Sequence, residues 1–223
     1  MDIEVSASVL RRARLHAALS DPIRLTVVDE LAASDRTPSE LAAATGVAAS
    51  LLAHHLRILE GAGVVTRRRS NGDGRRWYLR LRPEPFPETR ATRIRASTVL
   101  FVCTHNSARS QLAAALWNRS SGARAESAGT HPATRIHPGA IRAGRRLGLD
   151  LRRARPRGLE QIASAPDILV TVCDQAREEL GERVSIHWSV PDPVERGSDP
   201  AFRAVAEELR GRVERLAASV DRG

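Results

Sequence analysis

Apolar positions along the chain follow two rhythms. Through residues 1–82 they recur mostly at helical spacing. Val9, Leu10, Ala13, Ala17 and Leu19 predict a first helix over residues 9–19. Asp21-Pro22 reads as an N-cap followed by a first-turn proline, opening a helix lined by Ile23, Val27, Val28 and Leu31. Thr37-Pro38-Ser39-Glu40 is a capping box that starts a short helix ending at Gly46. A second short helix, from about Ala48, turns Leu52, Leu56 and Leu59 inward. Two short helices across a glycine-containing turn make a helix-turn-helix. The pattern then changes to strand. Arms at 64–69 and 75–81 flank Ser70-Asn71-Gly72-Asp73-Gly74, which is hairpin turn chemistry.

Residues 82–96, RPEPFPETRATRIRA, carry three prolines in alternation and no amphipathic repeat, as an extended spacer does. Beyond them, short apolar runs alternate with helical patterns, the arrangement of a parallel α/β sheet. A strand is expected over 97–102, a helix over 110–118 with Leu112, Ala115 and Leu116, and a late strand over 184–190. The fold class expected is therefore two domains without internal repeats. An N-terminal winged helix-turn-helix, mainly α with a β-hairpin wing, spans 1–82. A proline-rich linker spans 83–96, and an α/β domain with a central parallel sheet spans 97–223.

Composition sharpens the first half of this picture. Aromatic residues are only 3% of the 223, so cores must be built from Leu, Val, Ile and Ala. All 35 basic residues are arginine, which codon bias in a GC-rich genome explains. Every cation is nonetheless a planar guanidinium suited to phosphate, and a net charge of +9 points to a polyanionic partner. Arg67, Arg68, Arg69, Arg75, Arg76 and Arg80 crowd the hairpin arms, with Asp73 the one acid between them. The reading is a wing that grips duplex phosphates while the second short helix enters the major groove. Ser50, His54, Arg57, Arg67, Arg68, Arg69, Arg75 and Arg76 are the candidate DNA contacts, against the alternative of an ordinary solvated hairpin. Adjacent His54 and His55 cannot share one helical face, so no metal site is expected from them; His55 packs inward and His54 meets backbone or water. Two cysteines do not make a disulfide scaffold. The N-terminus lacks an apolar signal core and no stretch approaches a membrane span, so a cytoplasmic protein without a membrane partner is expected.

The second half carries the chemistry. Cys103-Thr104-His105-Asn106-Ser107-Ala108-Arg109 lies between the strand at 97–102 and the helix beginning at Ser110. A loop of this length at a helix N-terminus can turn successive N–H groups inward as a nest for a tetrahedral oxyanion. Arg109 would close the nest with its fork. Cys103 would sit at the floor as a thiolate of lowered pKa, with Ser110 bonding the sulfur and Asn106 holding the loop. A thiolate attacking phosphorus or arsenic also needs a proton donor. Asp192, after the late strand, lies at the same carboxyl edge of the sheet; by the residues alone it is either that acid or the start of a turn.

Residues 9–82 resemble the ArsR-type winged-helix regulators, on ALSDPIRLTVVDEL, SELAAATGV, LLAHHLRILEGAGVV and the wing. The resemblance implies a homodimer on a palindromic double-stranded DNA operator. The metalloid-sensing cysteine pair of that family would fall on the SELAAAT helix, but no cysteine precedes Cys103. Residues 97–221 resemble the low-molecular-weight tyrosine phosphatases and the thioredoxin-linked arsenate reductases of the same fold. VLFVCTHNSARSQLAAALW, ESAGT, HPGAIRAGRRLGLDLRRARPRGL, DILVTVC and Asp192-Pro193 carry this likeness, with Phe202, Val205, Ala206, Leu209, Val213, Leu216 and Val220 on a C-terminal helix. It implies Cys103 as nucleophile, Arg109 as oxyanion clamp, Asp192 as acid, and phosphate or arsenate as ligand. Val194 and Glu195 stand where the phosphatases place aromatic residues, which argues against phosphotyrosine. Leu180 stands at the reductases' third cysteine, leaving Cys173 as the candidate redox partner. No tightly bound cofactor is expected, only an external reductant of thioredoxin or low-molecular-weight thiol type. Two other readings stand beside the reductase: an oxyanion or metalloid sensor without turnover, and a phosphatase for a phosphoprotein or small phosphoester.

Overall fold

The computed structural model describes residues 6–82, 94–121 and 124–221. The chain divides into two compact units, Met1–Arg69 with Arg75–Ala91 and Ser70–Gly74 with Thr92–Gly223. Most of the proline-rich stretch, 83–93, lies outside the described residues.

In the first unit, α1 (Ala7–Leu19) buries only Ala18. Asp21 caps α2 (Pro22–Ala33) by accepting the Arg24 N–H at 3.0 Å. Thr37 and Glu40 close their capping box at the start of α3 (Pro38–Thr45), and Gly46 ends the helix in the left-handed region at φ 69°. The chain then bends by 109° into α4 (Ala49–Gly61), within the range of a helix-turn-helix. Strands β1 (Val65–Arg69) and β2 (Trp77–Leu81) pair antiparallel, Val65 opposite Leu81 and Arg69 opposite Trp77. Arg36 and Leu79 exchange backbone hydrogen bonds at 3.1 and 2.7 Å, tying the wing to the helices. Val27, Val28, Leu31, Leu41, Leu52, Leu56, Leu59 and Leu79 form the core. Each such side chain contributes roughly 1.5–3 kcal/mol by burial.

The second unit opens with β3 (Ile94–Arg95), which pairs in parallel with the last strand. These two residues, assigned to the spacer by sequence, are therefore part of a sheet. They lack the regular alternation that reveals a strand locally, and their partner lies at the far end of the chain. Next come β4 (Thr98–Cys103), α5 (Arg109–Ser120), β5 (Arg124–Gly129) and α6 (Pro138–Arg146). After them follow β6 (Ile168–Thr171), α7 (Asp174–Leu180), β7 (Ile186–His187), α8 (Pro193–Arg196), α9 (Asp199–Ser219) and β8 (Val220–Asp221). Strands β5-β4-β6-β7 form one parallel sheet in that order. Its inner strand β4 is buried from Val99 to Cys103, as a continuous apolar run covered on both faces should be.

The connection after β4 runs to one side and the connection after β5 returns to the other, so the order reverses at β4. Ligand crevices in such sheets open at the carboxyl ends of strands beside this switch point. Cys103 ends β4.

Two expectations change near the C-terminus. The late strand contracts from 184–190 to Ile186–His187. Trp188 still donates its N–H to Thr171 O at 2.8 Å, but Val190 N–H then bonds back to Trp188 O at 2.8 Å. A turn that tight takes the chain off the sheet and leads to Asp192. Helix α9 buries Phe202, Val205, Ala206, Leu209, Val213 and Leu216 as predicted but stops at Ser219, leaving Val220 to β8. Among the described residues, no single helix is long and apolar enough to cross a membrane.

Candidate functional site

The loop over residues 103–109 is built from outside in. The carbonyls of Cys103, Thr104, His105 and Ser107 accept the N–H groups of Thr130, His131, Ala133 and His137 at 3.2, 2.8, 2.9 and 2.9 Å. A trans peptide sends the following N–H the opposite way, so anchoring these carbonyls outward turns the loop's donors toward its centre. Helix α5 begins at Arg109 with no side-chain cap from Ala108, leaving first-turn N–H groups for an anion. Gly129 permits the close approach of this flanking segment. A Cβ there would lie 2.7 Å from Thr104 O and 3.1 Å from Asn106.

Asn106 adopts φ 47°, a left-handed conformation that asparagine tolerates better than most residues. Its Oδ1 accepts from Gln111 Nε2 at 2.9 Å and from the Arg157 N–H at 3.0 Å. The Arg157 side chain is itself held by Glu126 Oε2 at 2.6 Å and Ser127 O at 3.0 Å. Asn106 Nδ2 donates to Ser110 Oγ at 2.8 Å. That leaves the Ser110 hydroxyl hydrogen for Cys103 Sγ, 3.1 Å away, and the Asn106 N–H meets the same sulfur at 3.2 Å. Two donors thus face Cys103, the arrangement a thiolate nucleophile uses.

Arg109 is 6% exposed. Its Nη1 donates to Val190 O at 3.1 Å, and its Nη2 lies 2.5 Å from Asp192 Oδ2. Burial works against its charge, but Cys173, Cys103, Asp192 and Asp174 outweigh that and hold its pKa above the ordinary value. The other oxygen of Asp192 accepts the Val194 N–H at 2.8 Å, capping α8.

Cys173 occupies the corresponding place one strand over. Val172 N–H bonds to Val102 O at 2.8 Å, so Cys173 lies two residues past the end of β6, beside the strand that Cys103 ends. Cys173 Sγ accepts the Thr104 N–H at 3.2 Å, meets Thr104 Oγ1 at 3.3 Å, and receives the Ala176 N–H at 3.5 Å. Burial pushes its thiol up to about 11, with Arg109 opposing.

Among the loop candidates, Thr104, Asn106, Ala108 and Ser110 are buried, Ser107 is half-buried and His105 is exposed. The structure thus brings Cys103, Arg109, Asp192 and Cys173 into one cluster. Gln111, Arg157, Glu126 and the 130–137 segment escaped the sequence reading. By the resemblance RRARPRGL falls in the loop after the middle helix, and nothing in it signals that Arg157 reaches Asn106.

On α4, Ser50, His54 and Arg57 are exposed, while Leu52, His55, Leu56 and Leu59 are buried. His55 Nδ1 lies 3.6 Å from Asp21 Oδ1. Arg67, Arg69, Arg75 and Arg76 are exposed and Arg68 is half-buried. Arg67 is also bonded to Glu60, at 2.8 and 3.4 Å, an acidic partner the local sequence of the wing did not reveal.

A family model described as low molecular weight phosphotyrosine protein phosphatase matches residues 98–223. Another, described as bacterial regulatory protein, arsR family, matches residues 21–67. An arsenate reductase of Brevibacillus brevis is 31% identical over 129 residues, covering 54% of this chain and 93% of that protein. An arsenate reductase of Halalkalibacterium halodurans is 28% identical over 131 residues, covering 53% and 94%. Among solved structures, a YwlE mutant from Bacillus subtilis shares the fold at a TM-score of 0.50 and 21% identity, covering 55% of this chain and 97% of that one.

Proposed function

The chain belongs, through residues 98–223, to the low molecular weight phosphotyrosine protein phosphatase family, and we propose that it reduces arsenate with Cys103 while its arsR-type region reads DNA. It is a regulator with a reductase-like domain, an ArsR-type helix-turn-helix fused to an arsenate reductase/phosphatase-like unit. In our division of labour, residues 1–82 bind the operator, the proline-rich stretch after them links, and the unit that begins with β3 binds and transforms the oxyanion. The observation that carries the proposal is the convergence of two donors on Cys103 beside the Arg109–Asp192 pair.

Arsenate enters the nest of loop N–H groups, with Arg109 neutralising its charge. Cys103 attacks arsenic, and Asp192 relays the proton with which the departing oxygen leaves as water. Cys173, once deprotonated, then attacks the Cys103 sulfur. The S–As bond breaks with its electron pair remaining on arsenic, which falls from As(V) to As(III) and departs as arsenite. The two thiols become a Cys103–Cys173 disulfide, and an external thiol of thioredoxin or low-molecular-weight type restores them.

The same three residues support phosphoester hydrolysis as a second reading, since an acid is superfluous for mere anion sensing. Assaying arsenite release and phosphoester hydrolysis side by side tests the proposal. Arsenite release that Cys103→Ser abolishes is expected. Hydrolysis alone would favour the phosphatase, and neither activity would favour a sensor.

For DNA, Ser50, His54 and Arg57 on the open side of α4 would meet the major groove, and Arg67, Arg68, Arg69, Arg75 and Arg76 the flanking phosphates, in a cytoplasmic homodimer. Replacing Arg67, Arg68 and Arg69 together by Ala should weaken binding across sequences and lower the salt slope by about 1 for each phosphate no longer gripped. An unchanged affinity and slope in a salt titration would sink that assignment.

A further inference from the structure

Beside the Cys173 turn lies a buried histidine–aspartate pair that the thiol chemistry leaves unused. His187 on β7 and Asp174, the first residue of α7, are each 1% exposed. His187 Nε2 lies 3.2 Å from Asp174 Oδ1. The other ring nitrogen, Nδ1, is 2.9 Å from Thr171 Oγ1 on β6. One imidazole thus bridges the end of β6 to the start of α7. Burial opposes the charge of Asp174, yet His187 and the Ser189 hydroxyl help hold its carboxyl below the usual carboxylate range.

Burying such a pair costs desolvation that apolar residues of the same volume would not incur. Its best-attested return is a fixed geometry, and here that geometry leads to Arg109. Ser189 precedes Val190, whose carbonyl accepts Arg109 Nη1 at 3.1 Å. Two residues further on, Asp192 grips Nη2 at 2.5 Å. Asp174 is itself close enough to support the guanidinium's charge. The segment 188–192 has left the sheet, and its backbone reaches back to β6 through the Trp188 N–H on Thr171 O. His187, held between Thr171 and Asp174, leads directly into this segment and so bears on where the two acceptors of Arg109 sit.

We infer that the Asp174–His187 pair is a positioning device for Arg109, fixing the 188–192 segment against the start of α7 and thereby setting oxyanion affinity. The inference rests on the oxyanion-binding reading of the loop but not on turnover. Neither residue touches the oxyanion; both act through Ser189, Val190 and Asp192.

The test uses the full chain and inorganic phosphate, measuring how phosphate slows iodoacetamide alkylation of Cys103, with peptide mass mapping to separate it from Cys173. Asp174→Ala should weaken the phosphate Kd by about 10-fold, since displacements on the order of 1 Å cost that much or more at a preorganised site. Asp174→Asn keeps an acceptor toward His187 and should stay within about threefold of wild type. A purely structural role would lower the thermal midpoint without moving the Kd of the folded protein. If Asp174→Ala does not fold, His187→Gln carries the test; it loses the Thr171 hydrogen bond and should weaken phosphate several-fold. A folded Asp174→Ala or His187→Gln with wild-type Kd overturns the inference, as does an Asp174→Asn as impaired as Asp174→Ala. Wild-type Cys103 that phosphate fails to protect overturns the oxyanion reading and this inference together, a result distinct from either of those.

Discussion

Cys103 ends β4 and Cys173 lies two residues past the end of neighbouring β6, and each is followed by a helix, yet their surroundings differ in one decisive way. Between Cys103 and the first turn of α5 lie the residues of a loop whose carbonyls are tied outward to the 130–137 segment. Between Cys173 and α7 lies nothing, for Cys173 is itself the N-cap. The first cysteine therefore sits within that loop, with donors from Asn106 and Ser110. The second spends its sulfur on the Thr104 and Ala176 N–H groups. A cysteine at this edge of the sheet before a helix is thus not by itself an oxyanion site. The loop inserted between them makes the difference.

The comparison predicts that the two sulfurs are limited by different protons. Asp192→Asn should slow attack by Cys103 about 100-fold or more with little loss of arsenate affinity, because it removes the donor to the leaving oxygen. Stopped single turnovers would show this; an equal loss in affinity and rate would make Asp192 a structural cap for α8 alone. The Cys173 step should respond to pH instead. With its thiol pushed up to about 11, Cys173 is almost wholly protonated at neutral pH. Its thiolate fraction, and the rate of disulfide closure, should then rise by about tenfold per unit from pH 7 to 9. A closure rate flat across that window would show that Cys173 is not the attacking thiol.

The same contrast explains what the sequence made legible. Cys103-x5-Arg109 stands out because strand, loop and helix are contiguous, and the apolar run of β4 frames it. The capping box at Thr37 and the wing were equally local. What escaped was set by contacts between elements that the residue pattern does not link, or by a turn hidden in an apolar run. Arg157 reaches Asn106 from a loop 51 positions away, and Glu60 meets Arg67 from the preceding helix. The contraction of β7 follows from the tight turn at Trp188–Val190, which an apolar run over 184–190 conceals. Ile94 and Arg95 look like spacer until Val220 and Asp221 pair with them.

The division of labour between the two cysteines has one direct test. Wild-type protein, freshly reduced and freed of external thiol, is given one equivalent of arsenate at pH 8, quenched in acid, and split between arsenite determination and intact mass under non-reducing conditions. One arsenite per chain is expected, with a mass about 2 Da lower from the loss of two thiol hydrogens to a Cys103–Cys173 disulfide. Cys103→Ser should give neither product, and Cys173→Ser no disulfide. Arsenite formed by wild type without the mass loss, or at the same rate by Cys173→Ser, would contradict that division.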